Sequence, residues 1–128
     1  MTTIKVGPEH DGIYNDAGFQ LIGSHAPGQE GLSPRELLEA ALGLCVSIVL
    51  QKKLATDGIA CNPQEIQVEV TASKPEDGAN RFSDFKVQVR FPFTLDPVYK
   101  AKLKVIAERA CTITNTLKAP AEVELLEV

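Results

Sequence analysis

The stretch of sequence that decides the fold runs from Ser33 to Leu54 and reads SPRELLEAALGLCVSIVLQKKL. Ser33 suits a helix N-cap, Pro34 suits the first helical position, and Glu36 completes a capping box with Ser33. Apolar residues then recur at helical spacing, and no charged residue falls between positions 40 and 50. We therefore predict one long helix over Ser33–Asp57 that is buried on more than one side.

Short strands are expected before this helix, and an alternating hairpin is expected after it. The predicted N-terminal strands are Thr3–Val6, Ile13–Tyr14 and Phe19–Ile22. The predicted hairpin pairs Ile66–Ala72 with Phe85–Phe91, and a second helix begins near Asp96 and Pro97. A short segment, Cys111–Leu117, and a C-terminal strand, Glu122–Leu125, complete the chain. This order of elements predicts a single α+β domain over residues 1–128.

The composition excludes several classes of function. The chain has 128 residues, 44% of them hydrophobic and 23% charged, which is typical of one globular domain with its own core. A net charge of −4 and an aromatic content of 5% argue against nucleic-acid and anionic-membrane partners. The N-terminus lacks the layout of a signal peptide, and no apolar run is long enough to span a bilayer. We expect a soluble cytoplasmic domain.

Three cysteines are the residues most able to carry chemistry. They are too widely spaced for a zinc site or a disulfide scaffold, and no nucleotide-binding loop is present, so we expect no cofactor and no metal. Cys45 lies on the apolar stripe of the long helix, where spacing alone favours an inert small hydrophobe. Cys111 opens a polar segment directly after a helix, where free N–H groups favour a thiolate. Cys61 lies in a loop and is read as incidental.

Two segments resemble the signatures of one known family. The segment Ser33–Cys45, with its Pro, its acidic-Leu-Leu start, its Ala-Ala core and its helix cysteine, is similar to the first signature of the OsmC/Ohr family. The segment Cys111–Leu117, a cysteine leading a short hydroxyl-rich turn that ends in Leu, is similar to the second. The order of predicted elements also agrees with that fold, so the resemblance covers nearly the whole chain.

The resemblance implies a homodimer with intertwined sheets and a thiol-dependent peroxidase that acts on small organic hydroperoxides. On this interpretation Cys45 is the peroxidatic cysteine, which attacks the O–O bond as a thiolate. Cys111 is the resolving cysteine, which closes a disulfide that a thiol or dithiol reductant then opens.

The sequence departs from the family pattern around the expected cation. Strong peroxidases of the family carry an Arg in the N-terminal strands, whereas no Arg precedes Arg35 in this chain. Ideal helix geometry separates Arg35 from Cys45 by about 15 Å and points Glu36 away from that cysteine. Arg35 or Glu36 could therefore serve Cys45 only across two crossing helices of a dimer. For Glu36 the capping box is an equally simple role, and Lys5, His10 and His25 are alternative cations.

These observations leave open whether the chain is an enzyme. A thiol peroxidase is the first hypothesis. A protein of the same fold that binds a small apolar or thiol-reactive ligand without turnover is the second, and a purely structural domain is the third.

Overall fold

The computed structural model describes all residues from Met1 to Val128, and the chain divides into two compact units, Met1–Ala40 and Ala41–Val128. The first unit is an antiparallel meander of β1 (Thr2–Lys5), β2 (Asp11–Asn15) and β3 (Gln20–Gly23), with β2 in the centre. Each strand lies within two residues of its predicted bounds at both ends, except that β2 is longer than Ile13–Tyr14. Short strands of this kind depend on pairing for their stability.

The helix α1 (Pro34–Thr56) begins in the first unit and continues through the second. The capping box is formed as predicted, because the Glu36 carboxylate accepts hydrogen bonds from the Ser33 N–H at 3.0 Å and from the Ser33 hydroxyl at 2.8 Å. The helix ends before Gly58, whose φ of +63° lies in the left-handed region that a side chain disfavours.

The second unit continues with the hairpin and two more helices. A single 3₁₀ turn over Pro63–Glu65 leads into β4 (Gln67–Ser73), which pairs antiparallel with β5 (Asp84–Arg90) in the register Val70 to Val87. The helices α2 (Pro97–Ala110) and α3 (Thr112–Lys118) follow. The alternation predicted for both strands is observed, since every second side chain is exposed and the others are at least half-buried.

The core of the second unit is a cluster of buried side chains from α1, α2 and the segments beside α2. Leu50, Leu103 and Cys111 are the most deeply buried, with exposed fractions of 1%, 0% and 0%. The apolar faces of β4 and β5 pack against this cluster. Mixed helix and sheet in this order is the α+β architecture that the sequence predicts.

One predicted element is absent. The sequence alternation over Glu122–Leu125 predicts a C-terminal strand, but residues 119–128 form no regular secondary structure, and Val123 and Leu125 are exposed by 95% and 98%. A strand exists only when its backbone pairs with another strand, and the two sheets of this chain contain only β1–β3 and β4–β5. The C-terminal strand predicted from sequence alternation over Glu122–Leu125 is therefore wrong.

None of the helices combines the length and the apolar character that crossing a membrane would require.

Candidate active site

Two of the three cysteines come together in the second unit. Cys45 lies half-buried in the middle of α1, and Cys111 lies fully buried between α2 and α3. The side chain of Cys45 lies close enough to the Cys111 thiol to lower its pKa, although the two residues are 66 positions apart in the sequence. Both cysteines are free thiols. The fold therefore builds a two-thiol site against the middle of α1.

The backbone between α2 and α3 determines where the Cys111 sulfur points. Cys111 is extended, with φ −77° and ψ 110°, and it serves as the C-cap of α2 and the N-cap of α3. Its N–H donates to the carbonyl oxygen of Ala107 at 3.2 Å, while its Sγ accepts a hydrogen bond from the Thr114 N–H at 3.3 Å. The sulfur thus takes the place that a serine or aspartate oxygen usually takes at a helix N-cap.

Hydrogen bonds control the charge state of the Cys111 thiol. Burial on its own raises the pKa of Cys111, because a thiolate is poorly solvated in the core. Hydrogen bonds from the Cys45 and Thr114 side chains, and from the backbone N–H groups of Thr114 and Ile113, act in the opposite direction. They outweigh burial, so the pKa of Cys111 lies below its ordinary value.

An open groove of about 620 Å³ is lined by residues of α1, β5, α2 and α3, and neither Cys45 nor Cys111 is among its lining residues. Its apolar wall comes from the inward face of β5. Val46, which follows Cys45 in the sequence, and Thr114, whose N–H donates to the Cys111 sulfur, also belong to the lining. Lys104, Glu108 and Lys118 supply the charged groups of the lining. The groove can therefore hold an apolar molecule that carries a polar or charged end.

A close helix–sheet approach holds the cysteine-bearing part of α1 in place. A Cβ atom at Gly43 would lie 3.2 Å from Cγ2 of Val70 on β4, which is tighter than an ordinary van der Waals contact. A side chain at position 43 would push α1 away from the hairpin. Gly43 lies two residues before Cys45, so this close approach occurs beside the cysteine on α1.

The structure places Arg35 and Glu36 in local roles within the first unit. Glu36 accepts hydrogen bonds from Ser33, and these lower the pKa of its carboxyl group. Arg35 lies 4.0 Å from Glu39, one helical turn further along. Among the alternative cations, Lys5 lies 5.3 Å from the ring centre of Tyr14, and His25 lies 3.3 Å from the carboxylate of Asp11. His10 lines a loop pocket together with His25.

The third cysteine belongs to a different region, at the C-terminal end of α1. The Tyr99 hydroxyl donates to Asp57 at 2.6 Å, and Asp57 also pairs with Lys53 at 3.1 Å. Burial raises the pKa of Tyr99 to about 12, and the hydrogen bond with Asp57 and the nearby charges of Asp57 and Cys61 act in the same direction. Cys61 packs half-buried against the core near this tyrosine.

Sequence reasoning missed the contact in which the Thr114 backbone N–H donates to the Cys111 sulfur. The available signal was the position of Cys111 directly before a helix, where an N-cap side chain accepts such a hydrogen bond. The Tyr99–Asp57 hydrogen bond was also missed, because a contact over 42 positions leaves no local pattern.

This fold, with one cysteine on the long central helix and one after the second helix, defines the class of OsmC-like proteins. The family model described as OsmC-like protein matches residues 26–126, and the chain belongs to that family. A comparison with curated protein sequences finds no match.

Solved structures share the fold at low sequence identity. An OsmC-like protein from Mycoplasma pneumoniae is 19% identical, with a TM-score of 0.75 over 92% of this chain and 86% of that one. The organic hydroperoxide resistance protein OhrB of Bacillus subtilis is 23% identical, with a TM-score of 0.59 over 91% and 87%. An organic hydroperoxide resistance protein OsmC from Legionella pneumophila is 17% identical, with a TM-score of 0.61 over 92% and 89%.

Proposed function

We propose that this protein reduces small organic hydroperoxides with the thiols of Cys45 and Cys111. The observation that carries the proposal is the proximity of the two thiols in the core of the second unit, where the Cys45 side chain packs against the buried cluster that contains Cys111 and lowers the pKa of Cys111. A lone structural cysteine is usually an inert hydrophobe, whereas two free thiols that lie together can form a disulfide. The printed names of the Bacillus subtilis and Legionella pneumophila neighbours, organic hydroperoxide resistance proteins, agree with this chemistry.

The exposure of the two cysteines supports Cys45 as the nucleophile and Cys111 as the resolving thiol. Cys111 has an exposed fraction of 0%, so a hydroperoxide cannot reach it first, whereas Cys45 is only half-buried. Cys45 Sγ attacks the outer oxygen of the hydroperoxide, the O–O bond breaks, and the alcohol leaves, so that Cys45 becomes a sulfenic acid. Cys111 Sγ then attacks the Cys45 sulfur, the S–S bond forms, and the sulfenic oxygen leaves as water.

The groove whose lining includes Val46, next to Cys45 in sequence, and Thr114, which contacts Cys111, supports an organic substrate. Phe85, Val87, Val89 and Phe91 line it, and apolar walls of this kind favour the hydrocarbon part of a hydroperoxide over hydrogen peroxide itself. A small thiol or dithiol must reduce the disulfide in each cycle, which a reducing compartment such as the cytoplasm provides.

The proposal includes a homodimer. Leu44 and Ile48 lie on α1 with exposed fractions of 63% and 40%, in the uncharged middle of that helix, and a second copy would cover them. Arg35 or Glu36 of one copy would then act near Cys45 of the other. Sedimentation that gives a monomer at micromolar concentration would remove the dimer and the shared site together.

A second candidate function is binding without turnover. The groove of about 620 Å³ is large enough for a small apolar ligand, and no arginine precedes Arg35 to assist a thiolate. On this alternative the thiols remain reduced in the presence of hydroperoxide.

Peroxide consumption distinguishes the two. We expect the reduced protein to consume cumene hydroperoxide catalytically when dithiothreitol is supplied. Cys45→Ser should lose activity by at least about a thousandfold, because the nucleophile is gone. Cys61→Ser is the matched control and should retain the wild-type rate. A Cys45→Ser protein with wild-type turnover, or a wild-type protein without turnover, would contradict the proposal.

A further inference from the structure

The groove of about 620 Å³ has an apolar side and a charged side. The apolar side is the inward face of β5 and of the residue that follows it, where the alternating side chains of Phe85, Val87, Val89 and Phe91 all belong to the lining. Since a strand rises about 3.3 Å per residue, this wall is about 20 Å long. The volume of the groove lies within the range of small-molecule sites, about 300–1,000 Å³. The wall is one strand wide, so the groove matches a single extended hydrocarbon chain.

The charged side of the groove comes from one face of α2 and one face of α3. Lys104 and Glu108 are four residues apart on α2, and Thr114 and Lys118 are four residues apart on α3, so each pair lies on one side of its helix. Two lysines and one glutamate give the lining a net charge of +1. The chain as a whole carries a net charge of −4, so the groove has the opposite sign to the rest of the protein.

Neither lysine of the groove is neutralised within the chain. The ion pairs of the chain join other residues, and Lys104, Glu108 and Lys118 take part in none of them. Both lysines are exposed. A lysine beside an apolar wall suits an amphiphile, because its methylene stem can lie along the hydrocarbon while its ammonium group stays in water. The two lysines are therefore available to an anion that enters the groove.

On the basis of the proposed function, we propose that the groove binds single-chain carboxylic acids and that the hydroperoxides this protein reduces best carry a carboxylate. Lys104 and Lys118 hold the carboxylate, and the β5 wall holds the hydrocarbon chain. A monoanion balances the lining charge of +1, whereas a phosphate monoester carries about −1.5 to −2 and would leave an excess of negative charge. Glu108 repels the carboxylate and limits how tightly it binds.

The lining of the groove includes neighbours of both reacting cysteines. Val46 follows Cys45 on α1, and the Thr114 N–H donates to the Cys111 sulfur at 3.3 Å. A chain that lies along β5 with its carboxylate at the lysines can therefore present a hydroperoxide group beside Val46. The groove binds an acid that lacks the hydroperoxide group as well, since neither the lysines nor the wall contact the O–O bond.

Binding of decanoate, which carries no hydroperoxide group, tests the site by itself. Reduced full-length protein is titrated by calorimetry with decanoate and with decanol, which has the same chain length and no charge, and we expect decanoate to bind more tightly. Lys104→Gln and Lys118→Gln should each weaken decanoate binding about two- to fivefold, the usual size of an exposed ion pair. Glu108→Gln should strengthen it by a similar factor. The ratio of the two ligand affinities then moves in opposite directions in these variants, which a loosened fold does not produce.

Lys86→Gln is the matched control for the lysine variants. Lys86 lies on β5 between Phe85 and Val87, but its side chain is exposed on the opposite face of the strand and is absent from the groove lining. This variant removes the same charge from the strand that forms the wall, so the affinity ratio should not change. Added salt should weaken the binding of decanoate and leave that of decanol almost unchanged, because ions screen charge.

Two results of the binding experiment would overturn the proposal. The first is decanoate that binds no more tightly than decanol, or an equal loss of affinity in Lys86→Gln. The second is an affinity that falls as the protein concentration rises, since this would identify a second copy of the chain as the occupant of the groove.

Kinetics connect the site to the proposed reaction. With dithiothreitol supplied, ω-hydroperoxydecanoic acid should be reduced with a higher kcat/KM than its methyl ester. Lys104→Gln and Lys118→Gln should raise the KM for the acid about two- to fivefold at constant kcat, because the charge contact is the same before and during O–O cleavage. A loss in kcat at constant KM would contradict this role. Decanoate that binds as expected while no hydroperoxide is consumed would instead overturn the proposed function and the substrate preference, and leave the carboxylate site supported.

Discussion

The middle of α1 and its C-terminal end hold polar groups in two different ways. In the middle, the Cys45 side chain and the Thr114 N–H both act on one buried sulfur, that of Cys111. At the end, Tyr99, Asp57 and Lys53 form a chain of one phenol, one carboxylate and one ammonium group, with Cys61 nearby. The first arrangement lowers the pKa of its thiol, and the second raises the pKa of its phenol.

The polar groups of these two regions have different roles: those in the middle of α1 are suited to reaction, and those at its end stabilise the fold. A thiol with a lowered pKa releases its proton more readily and can attack sulfur as a thiolate, so the middle of α1 is suited to reaction. A phenol whose pKa is raised to about 12 stays protonated near neutral pH and serves as a steady hydrogen-bond donor. We infer that the end of α1 ties the helix to α2 while the middle carries the chemistry.

After Cys45→Ser, the largest expected effect is that of Cys111→Ser, at the residue that lies against the middle of α1. This variant loses the resolving thiol and keeps the nucleophile. The first oxidation of Cys45 should therefore still occur. Sustained turnover should stop after one cycle, with Cys45 left as a sulfenic acid that dimedone labels. Unchanged turnover in this variant would contradict the assignment of Cys111.

Leu103→Ala tests the packing that brings the two thiols together. Leu103 on α2 has an exposed fraction of 0% and belongs to the same buried cluster as Cys111. Its truncation leaves a cavity, and we expect a loss of about 2–5 kcal/mol in the free energy of unfolding, measured with urea. Val105→Ala on the same helix is the control, because Val105 is 46% exposed and should cost far less. Equal losses would show that Leu103 is not part of the core.

Much of the fold could be predicted from the sequence, because its signals are local. The capping box at Ser33, the apolar spacing of α1 and the alternation of the hairpin each lie within a single element. The false strand at Glu122–Leu125 shows the limit of this reasoning, since alternation gives no information about a pairing partner.

The candidate site was predictable only in part. Cys45 and Cys111 were singled out from the sequence, but their contact depends on how α2 and α3 return to α1, which no local pattern encodes. The same reason explains why the contact of Thr114 with Cys111 was missed, since that contact exists only once Cys111 is an N-cap. Glu36 could be understood from the sequence alone, because the capping box accounts for both hydrogen bonds that its carboxylate accepts from Ser33.

The smallest expected effect belongs to the C-terminal end of α1. Asp57→Asn weakens the acceptor of the Tyr99 hydroxyl, so the pKa of Tyr99 should fall from about 12 toward its ordinary value, while burial keeps it above that value. Ultraviolet absorbance of the tyrosinate measures this shift. Peroxide consumption should not change.

The sign of the pH effect on stability follows from the raised pKa of Tyr99. Its neutral form is favoured in the folded protein, so this contribution is complete below about pH 10 and is lost as pH rises through about 12. Wild-type protein should therefore lose stability over that window more steeply than Asp57→Asn. A larger loss of stability in the variant would contradict the role of the Tyr99–Asp57 hydrogen bond in holding α1 to α2.

One measurement tests the central claim, that Cys45 and Cys111 react as a pair, most directly. The reduced protein is treated with one equivalent of cumene hydroperoxide, and its peptides are mapped without reduction. We expect a single disulfide-linked peptide pair that contains Cys45 and Cys111, with Cys61 recovered as a free thiol. Disulfide formation requires Cα atoms within about 7 Å, a distance that two neighbouring thiols can satisfy. A bridge that contains Cys61, or three thiols left untouched by excess hydroperoxide, would contradict the account.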